Sequence, residues 1–318
     1  MVIVFFGTPQ FAVPTLEHLI ASRHPVAAVV TQPDKPRGRG QKIVDSPVKV
    51  TALKHGLPVF QPERLHDPAV AETLKGWNPD LGVVAAYGKL IPEDLLRLPR
   101  YGMINVHASL LPAYRGASPI HRAVINGDHE TGVTIMRVAP KLDSGDMFAR
   151  RTMPIGAEQT SEELEDALAV AGAHLLVEVV DSLATGTARE EPQDERLVTY
   201  AARLTKEEGL IDWTLPATRI HDRVRGLHPW PHAYSYVDGR RIIVWRTEPL
   251  GVPAAAAPGT VVHADAAGLH VATGDGTALA LLELQSEGGR PLAIADFLRG
   301  HDVPPGARFS SVTSVPSA

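Results

Sequence analysis

Residues 103–112 read Met-Ile-Asn-Val-His-Ala-Ser-Leu-Leu-Pro, a short apolar run that ends in a proline-bounded loop. The run predicts a buried strand over Met103–His107. Side chains alternate faces along a strand, so Asn105 and His107 point the same way while Val106 points into the core. An amide can donate to an oxyanion and an imidazole can move a proton, as acyl transfer to an amine requires. Taken alone, an Asn-x-His pattern is more often a hydrogen-bonded core pair.

The chain before this strand has the pattern of a parallel α/β sheet. Apolar runs alternate with helical stretches, and Ser46-Pro47 has the form of a helix cap followed by a first-turn proline. Ligands of such sheets bind beyond the carboxyl ends of the strands, where His107 falls. The predicted strands are Val2–Phe6, Val26–Thr31, Val59–Phe60 and Leu81–Ala86, and the predicted helices are 14–20, 47–55, 67–75 and 92–97.

The chain after residue 160 predicts a second domain. Thr160 followed by Glu163 indicates a capping box, and the helix that it opens should end at Gly186. The polar stretch that follows has the composition of a linker. Short alternating strands then surround a turn at Asp238-Gly239, and a small antiparallel barrel is their natural closure. The predicted division is a catalytic domain over 1–186, a linker over 187–205, a barrel over 206–307 and a disordered tail over 308–318.

Two further stretches connect the chain to a known family. Residues 113–120 read Ala-Tyr-Arg-Gly-Ala-Ser-Pro-Ile, and residues 131–147 read TGVTIMRVAPKLDSGDM, a strand followed by a turn. With the opening stretch, they resemble the folate-dependent formyltransferases, most closely the members that act on initiator tRNA. The resemblance implies a Rossmann-like α/β parallel-sheet domain followed by a smaller antiparallel β-barrel of the oligonucleotide-binding (OB) type. It also implies that Asn105, His107 and Asp143 are catalytic.

The resemblance further implies the substrates. The formyl donor would be 10-formyltetrahydrofolate, and the acceptor would be the α-amino group of methionyl initiator tRNA, formylated for translation initiation. The segment Ser-Leu-Leu-Pro matches the part of the family that contacts folate. No HExxH or paired Cys/His spacing occurs among the 14 histidines, so no metal is expected. The implied folate contacts are Ser109, Leu110, Leu111 and Pro112.

A basic loop, Gln32–Lys42, reads QPDKPRGRGQK and joins a strand to a helix near the ligand edge of the sheet. Charge runs are usually solvated surface, yet this position would suit a nucleic acid. A similar loop enters the acceptor arm in the tRNA formyltransferases. A second basic group, Lys206 with 219–225, is either a tRNA-facing surface or ordinary solvated charge. The predicted tRNA contacts are Lys35, Arg37, Arg39, Lys42 and Lys206.

Length and composition agree with an enzyme of this kind. A chain of 318 residues with 44% hydrophobic residues is large enough for two domains. The net charge of -5 excludes a globally basic nucleic-acid binder but permits local basic patches. There is no cysteine, which removes disulfides, thiolate nucleophiles and cysteine-bound metals. No signal or long apolar span precedes the first strand, so we expect a cytoplasmic protein that does not associate with a membrane. We also expect it to be a monomer.

Two other functions stay open at this stage. A formyltransferase acting on an amino-sugar nucleotide would share the Asn-His-Asp set, although the basic loop would then have no use. A non-catalytic tRNA- or folate-binding protein could adopt the same fold. Three buried polar groups are costly to keep without a use, which argues against the latter. A dinucleotide site is not indicated, because no GxGxxG follows the first strand.

Overall fold

The computed structural model of the protein describes residues 1–37, 42–265 and 267–311. Its contacts divide the chain into two compact units, each built from more than one segment. The first unit comprises Met1–Pro119, Glu130–Pro154 and Glu165–Ala201. The second comprises Ile120–His129, Ile155–Leu164 and Ala202–Ala318.

Strands and helices alternate in the first two thirds of the described chain, and strands dominate the rest. The strands are β1 Ile3–Gly7, β2 Val26–Val30, β3 Lys35–Arg37, β4 Lys42–Val44, β5 Val59–Phe60, β6 Leu81–Ala85, β7 Met103–His107, β8 Arg115–Gly116, β9 Glu130–Arg137, β10 Met147–Pro154, β11 Tyr200–Ala201, β12 Ala233–Val237, β13 Arg240–Pro253, β14 Val261–Asp265, β15 Gly268–Ala272, β16 Thr277–Ser286 and β17 Leu292–Ala293. The helices are α1 Val13–Ala21, α2 Pro47–Lys54, α3 Pro68–Gly76, α4 Glu93–Leu96, α5 Pro119–Asn126, α6 Ser161–Thr185, α7 Ala217–Gly226 and α8 Ile294–Gly300.

The first unit is organised around a seven-stranded sheet of order β10-β9-β7-β6-β1-β2-β5. The pairings from β7 to β5 are parallel, as the sequence predicts, whereas β9 runs antiparallel to both β7 and β10. The sheet is therefore mixed, with the antiparallel pair at one edge. Strands β1 and β6 are buried along their whole length, which explains their continuous apolar sequence.

Two predicted helix starts are present in atomic detail. The Ser46 hydroxyl accepts a hydrogen bond from the Lys49 amide at 3.2 Å, and Pro47 occupies the first helical turn of α2. At the start of α6, the Thr160 amide donates to the Glu163 carboxylate at 2.9 Å, and the Glu163 amide donates back to the Thr160 hydroxyl at 3.3 Å. This reciprocal pair is the predicted capping box.

Among the described residues, one helix, α6, is long and apolar enough to cross a membrane. Its apolar side is packed inside the protein, since Leu168, Leu176 and Val180 are fully buried. Gly172 lies so close to Val106 of β7 that an added Cβ would come within 2.6 Å of a Val106 methyl. The helix therefore serves as a core helix behind the strand that carries Asn105 and His107.

The second unit contains an antiparallel sheet of order β12-β13-β16-β15-β14, with β17 beside β16. The predicted Asp238-Gly239 turn joins β12 to β13, and both residues have positive φ (50° and 72°), which suits a tight hairpin. Segment 308–310 then pairs with both edges of the sheet, through Arg308 to Thr260 and Ser310 to Tyr236. These two pairings close the sheet into the predicted barrel.

The closing segment corrects one expectation from the sequence. The composition of residues 308–318 predicts a disordered tail, but Phe309 is 2% exposed and lies 5.5 Å from the Trp213 ring. The segment resembles a tail in sequence because its partners are more than 45 residues away along the chain. Residues 312–318 lie outside the described residues.

Two segments from the first half of the chain belong to the second unit. Ile125 is part of the second unit's apolar core. Both His121 Nδ1 and the Ser161 hydroxyl bind the carbonyl of Gly226, at 2.8 and 2.9 Å. By contrast, β11 at Ala201 pairs with β8 inside the first unit, so the predicted linker contributes structure to that unit. The predicted boundaries at 186 and 206 stay predictions.

Candidate functional site

Strand β7 carries Asn105 and His107 at the centre of the first unit's sheet, between β6 and β9. His107 is the last residue of β7 and is 6% exposed, whereas Asn105 is partly exposed. Because they are two residues apart on one strand, their side chains share a face. The Asn105 amide makes no hydrogen bond to the described residues, so its N–H groups are available to a ligand.

The His107 ring is held in one tautomer. Its Nε2 lies 3.0 Å from the carbonyl oxygen of Tyr114. A carbonyl can only accept, so Nε2 carries the proton and donates it. In the neutral ring Nδ1 is then unprotonated, and it lies 3.8 Å from Asp143 Oδ2. This distance is too long for a hydrogen bond but suits attraction to a protonated imidazole. The structure thus brings two of the three predicted catalytic groups face to face.

Asp143 lies in the turn between β9 and β10, with a φ of 46°. Its Oδ2 accepts a hydrogen bond from the Gly116 amide at 2.8 Å. Gly116 has a φ of 125°, and a Cβ there would come within 2.7 Å of the Ala201 carbonyl oxygen. Only glycine meets both conditions, so the Arg-Gly pair of the quoted sequence has a structural role beside the carboxylate.

A residue that the sequence does not mark also holds this turn. Gln193 Nε2 lies 2.8 Å from the carbonyl oxygens of both Asp143 and Gly145. Gln193 belongs to the predicted linker and to no motif. Its partners are about fifty residues away along the chain, so only the folded structure identifies it.

The Ser-Leu-Leu-Pro segment follows β7 directly. Ser109 is fully buried and donates to the Ala113 carbonyl at 2.6 Å, and Leu111 is 1% exposed beside Met136 and Met147. Leu110 and Pro112 keep partly exposed side chains. Of the four predicted folate contacts, two therefore present side chains, whereas the other two shape the segment. Their role toward folate stays a prediction.

The ends of β1, β2 and β6 are joined by a small polar network. Gln32 Nε2 and the Thr8 hydroxyl both donate to the Tyr87 carbonyl, at 2.7 and 3.3 Å. The Tyr87 side chain is 2% exposed, and burial raises the pKa of its phenol to about 12. Its hydroxyl has no hydrogen-bond partner within the described ranges. The network fixes the edge of the sheet at which ligands of parallel sheets bind.

The basic loop begins and ends in the short hairpin β3–β4. Lys35 is exposed, and its Nζ lies 3.4 Å from Gln32 Oε1. Of the other predicted tRNA contacts, Arg39 lies outside the described residues, and only the strand backbone of Arg37 and Lys42 is described.

Lys49 on α2 fastens both ends of this hairpin. Its Nζ pairs with Asp34 on one side and with Asp45 on the other, the latter at 2.8 Å. The hydrogen bond from Lys49, followed by that from Gln61, lowers the pKa of Asp34 below its usual value. The start and the end of the basic loop are thereby fixed to the first unit.

Lys206 lines a cavity of about 770 Å³ in the second unit. The Arg241 guanidinium lies over the Tyr234 ring at 3.9 Å, and Tyr236 meets that ring edge-on at 5.9 Å. Positive charge beside aromatic rings is a combination that binds unpaired nucleic acid bases. The other lining residues are Gly239, Arg240, Ile242, Ser286, Glu287 and His301.

The second basic group is a charged surface only in part, because Lys206 and Arg219 are exposed whereas two residues of α7 are buried. His221 is 8% exposed and lies 3.0 Å from both the Thr247 hydroxyl and the Ala157 carbonyl. Arg225 is 7% exposed and pairs with Asp222 at 2.7 Å. His221 and Arg225 are four residues apart and so share one helix face, and that face points inward, which charge alone could not reveal.

No group of three or more His, Cys, Asp or Glu side chains that could hold a metal ion occurs in residues 1–37, 42–265 and 267–311. The end of β7 itself offers an amide, an imidazole and a carboxylate. Together they can stabilise an oxyanion and exchange one proton.

Comparison with known proteins gives matches to both parts of the chain. The sequence profile described as "Formyl transferase" matches residues 1–180, and that described as "Formyl transferase, C-terminal domain" matches residues 203–302. A methionyl-tRNA formyltransferase of Citrifermentans bemidjiense is 48% identical over 306 residues, 96% of this chain and 95% of that protein. One from Methylococcus capsulatus is 49% identical over 95% of this chain and 97% of its own length.

Among solved structures, the N-formyltransferase from Helicobacter canadensis in complex with folinic acid and dTDP-3-aminofucose has the same fold. It aligns with a TM-score of 0.64 over 88% of this chain and 99% of that chain, at 15% identity.

Proposed function

The chain belongs to the formyl transferase family, and on that premise we propose that it formylates methionyl initiator tRNA for translation initiation, with 10-formyltetrahydrofolate as the donor substrate. Relatives named methionyl-tRNA formyltransferase are 48% and 49% identical over nearly the whole chain. One observation carries the chemistry: Nδ1 of His107 faces the Asp143 carboxylate at the end of a buried strand.

The reaction forms one carbon–nitrogen bond and breaks another. The α-amine of the esterified methionine attacks the formyl carbon, and the formyl oxygen takes on negative charge. The amine loses a proton, the bond from the carbon to folate N10 breaks, and N10 gains a proton. The protein must therefore stabilise an oxyanion and move one proton between two nitrogens.

Asn105 is suited to the first task. Its amide is partly exposed, lies on the same face as His107 and has no hydrogen-bond partner among the described residues. A preorganised donor of this kind contributes about 10²- to 10³-fold to the rate, because it meets charge that develops in the transition state.

His107 is suited to the second task through Nδ1. Since Nε2–H is held by the Tyr114 carbonyl, Nδ1 is the nitrogen left to accept the amine's proton and to return it to N10. The Asp143 carboxylate at 3.8 Å stabilises the imidazolium between these two steps. Asp143 is itself fixed by Gly116, so its charge is already in place when the imidazolium forms.

The donor-binding part of the proposal rests on the segment after β7. Leu110 and Pro112 present partly exposed apolar side chains. They would contact the flat ring system of folate, whereas Ser109 and Leu111 would hold the backbone in place through their own buried contacts. Placing donor and acceptor in register supplies a further part of the acceleration.

The tRNA contacts are proposed at two places. In the first unit, the hairpin fastened by Lys49 presents the basic loop with Lys35, Arg37, Arg39 and Lys42. In the second unit, the cavity lined by Lys206 would take phosphates on its cations and a base beside the Tyr234 ring and the Arg241 guanidinium that covers it. We expect Tyr234→Ala to raise KM for the tRNA by about 5- to 150-fold, since stacking on one aromatic ring is worth about 1–3 kcal/mol. An unchanged KM would remove this cavity from the proposal.

Two finer points belong to the same proposal, namely that the protein is a monomer and that it acts in the cytoplasm. The absence of cysteine is compatible with a reducing compartment. Sedimentation at micromolar protein concentration tests the first point, and a dimer would contradict it. Cell fractionation tests the second.

The deciding experiment offers the purified protein 10-formyltetrahydrofolate with one of two acceptors, charged initiator tRNA or a nucleotide-linked amino sugar. We expect formylmethionyl-tRNA as the product and no formylated sugar. Formylation of the sugar would favour the amino-sugar function, and folate or tRNA binding without either product would favour a binding protein. His107→Ala is the control for catalysis by a contaminant.

A further inference from the structure

A fully buried arginine lies beside the catalytic turn. Arg115 of β8 is 0% exposed, and its backbone amide donates to the Thr199 carbonyl at 2.9 Å. Its Nε and Nη2 both donate to Gln193 Oε1, at 3.0 and 2.9 Å, and Nη2 also pairs with Glu195 at 2.8 Å. A buried guanidinium with these partners is costly to move.

The arginine sets the orientation of the Gln193 amide. Arginine can only donate, so the amide oxygen must face Arg115 and the NH₂ group must face away from it. That NH₂ group meets two acceptors at 2.8 Å, the backbone carbonyls of Asp143 and Gly145. A reversed amide would set oxygen against oxygen on one side and N–H against N–H on the other. Only one orientation of Gln193 therefore satisfies all of these groups.

The turn that Gln193 holds is the one that presents the catalytic carboxylate. Asp143 has a φ of 46°, in the left-handed region, which costs a non-glycine residue of the order of 1–3 kcal/mol unless its surroundings impose it. Gln193 fixes the backbone of the turn, and the Gly116 amide fixes the Asp143 side chain. Together, the two restraints hold Asp143 Oδ2 at 3.8 Å from His107 Nδ1.

We propose that Gln193, oriented by Arg115, is a positioning residue for Asp143 and hence for proton transfer at His107. This inference rests on the proposed function. Among the described residues, Gln193 makes no hydrogen bond to the imidazole or to the carboxylate group, so it acts through the position of the turn. Since a displacement of about 1 Å can cost about 10²-fold in rate, a lost restraint should appear in kcat.

The test is Gln193→Glu, a substitution of nearly equal shape. A glutamate keeps an oxygen for Arg115, but it has no N–H for the two carbonyls and sets a charged oxygen against them, so the hold on the turn is lost. We expect kcat to fall about 10- to 10²-fold, with KM for the folate and for the tRNA changed by less than about twofold. A loss confined to KM would overturn the proposal.

A double-mutant cycle separates positioning from general destabilisation. If Gln193 acts through Asp143, Gln193→Glu should lower kcat very little in an Asp143→Asn background. If the two residues act independently, the two fold-losses in kcat should multiply. Full additivity of the two losses would overturn the proposal.

Gln285→Glu is a matched control. In the second unit the Gln285 amide oxygen accepts from Trp245 Nε1, and its nitrogen donates to the Gly289 carbonyl, both at 2.8 Å. The chemical change is again Gln to Glu, and it leaves the Gly289 carbonyl unpaired. Within the described part of the chain, however, Gln285 makes no hydrogen bond to the turn that carries Asp143. We expect a similar loss of thermal stability and an unchanged kcat. If Gln285→Glu lowered kcat as much as Gln193→Glu, the effect would not be specific to the turn.

A measurement without turnover keeps this inference separate from the proposed function. In a crystal structure of Gln193→Glu we expect the distance from His107 Nδ1 to Asp143 Oδ2 to increase by about 1 Å, or Asp143 to leave the left-handed region. An unmoved turn would overturn the positioning role, even if the wild-type protein formylates tRNA. An inactive wild-type protein would overturn the proposed function and leave this structural result standing.

Discussion

Replacement of Asp143 by Asn tests the centre of the proposed mechanism. The carboxamide of the variant would keep an oxygen for the Gly116 amide, so the substitution removes the charge and little else. At the observed 3.8 Å, two unit charges attract by roughly 4 kcal/mol at an effective dielectric constant of about 20, and by about 1 kcal/mol in bulk water. The His107 and Asp143 side chains are 6% and 16% exposed, so the larger value is the better guide.

Each 1.36 kcal/mol of lost transition-state stabilisation is about tenfold in rate, so we expect kcat to fall by about 10²- to 10³-fold. The assay is single-turnover formylation of charged initiator tRNA with both substrates saturating, which reports the chemical step. KM for either substrate should stay nearly constant. Since the charge acts only through the imidazolium, Asp143→Asn should add little to the loss caused by His107→Ala. A folded Asp143→Asn variant with near-normal single-turnover rate would refute the assigned role.

The remaining predictions concern the other catalytic groups, the basic loop and one buried histidine. His107→Ala should lower kcat about 10²- to 10⁴-fold and Asn105→Ala about 10²- to 10³-fold. Binding of the tRNA in a filter assay should be unchanged in both variants. Weakened tRNA binding would indicate that these residues contact the tRNA instead. Replacing Arg39 and Lys42 together by Ala should raise KM for the tRNA and leave KM for the folate constant. A plot of the logarithm of the tRNA binding constant against the logarithm of salt concentration should become less steep, by about one unit of slope per lost phosphate contact. An unchanged slope would make the loop ordinary solvated surface. Burial, with the nearby His228, lowers the pKa of His232 to about 4. Below about pH 6.5 the unfolded chain therefore takes up a proton that the folded protein does not, so His232 reduces stability as pH falls from 6.5 toward 4. His232 has a φ of 64°, which Asn tolerates, so His232→Asn should lose less stability between pH 7 and pH 5 in urea titrations; an equal loss would assign the acid sensitivity to other groups.

The features that the sequence predicts well are those in which the interacting groups are near neighbours. Ser46 with Lys49 and Thr160 with Glu163 are three residues apart, and both pairs form as expected. The turn at Asp238-Gly239 needs positive φ at two adjacent positions, for which this dipeptide is suited. Local hydrogen bonds and backbone preferences involve residues a few positions apart, so the sequence predicts them without knowledge of the fold.

The features that the sequence does not predict depend on partners far along the chain. Segment 308–310 resembles a tail because its ladder partners, Thr260 and Tyr236, carry no mark that pairs them with it. The charges at His221 and Arg225 suggest a solvated helix face, yet a buried cation is stable once it has enough acceptors, as Arg225 has in Asp222 and two backbone carbonyls. Burial of that kind follows from tertiary contacts alone.

The proposed catalytic site combines both kinds of feature. The periodicity of β7 is sufficient to place Asn105 and His107 on one face, because alternation along a strand is fixed by backbone geometry. The third group cannot be placed in this way, since Asp143 reaches His107 only through a strained turn held by Gly116 and Gln193. Gln193 lies in a stretch whose polar composition indicates a linker. The same polar composition also suits a segment that hydrogen bonds to a turn and does not pack in a core. If the proposed role of Gln193 holds, a polar stretch of this kind supports the proposed active site, and substitutions there should be assessed by kcat as well as by stability.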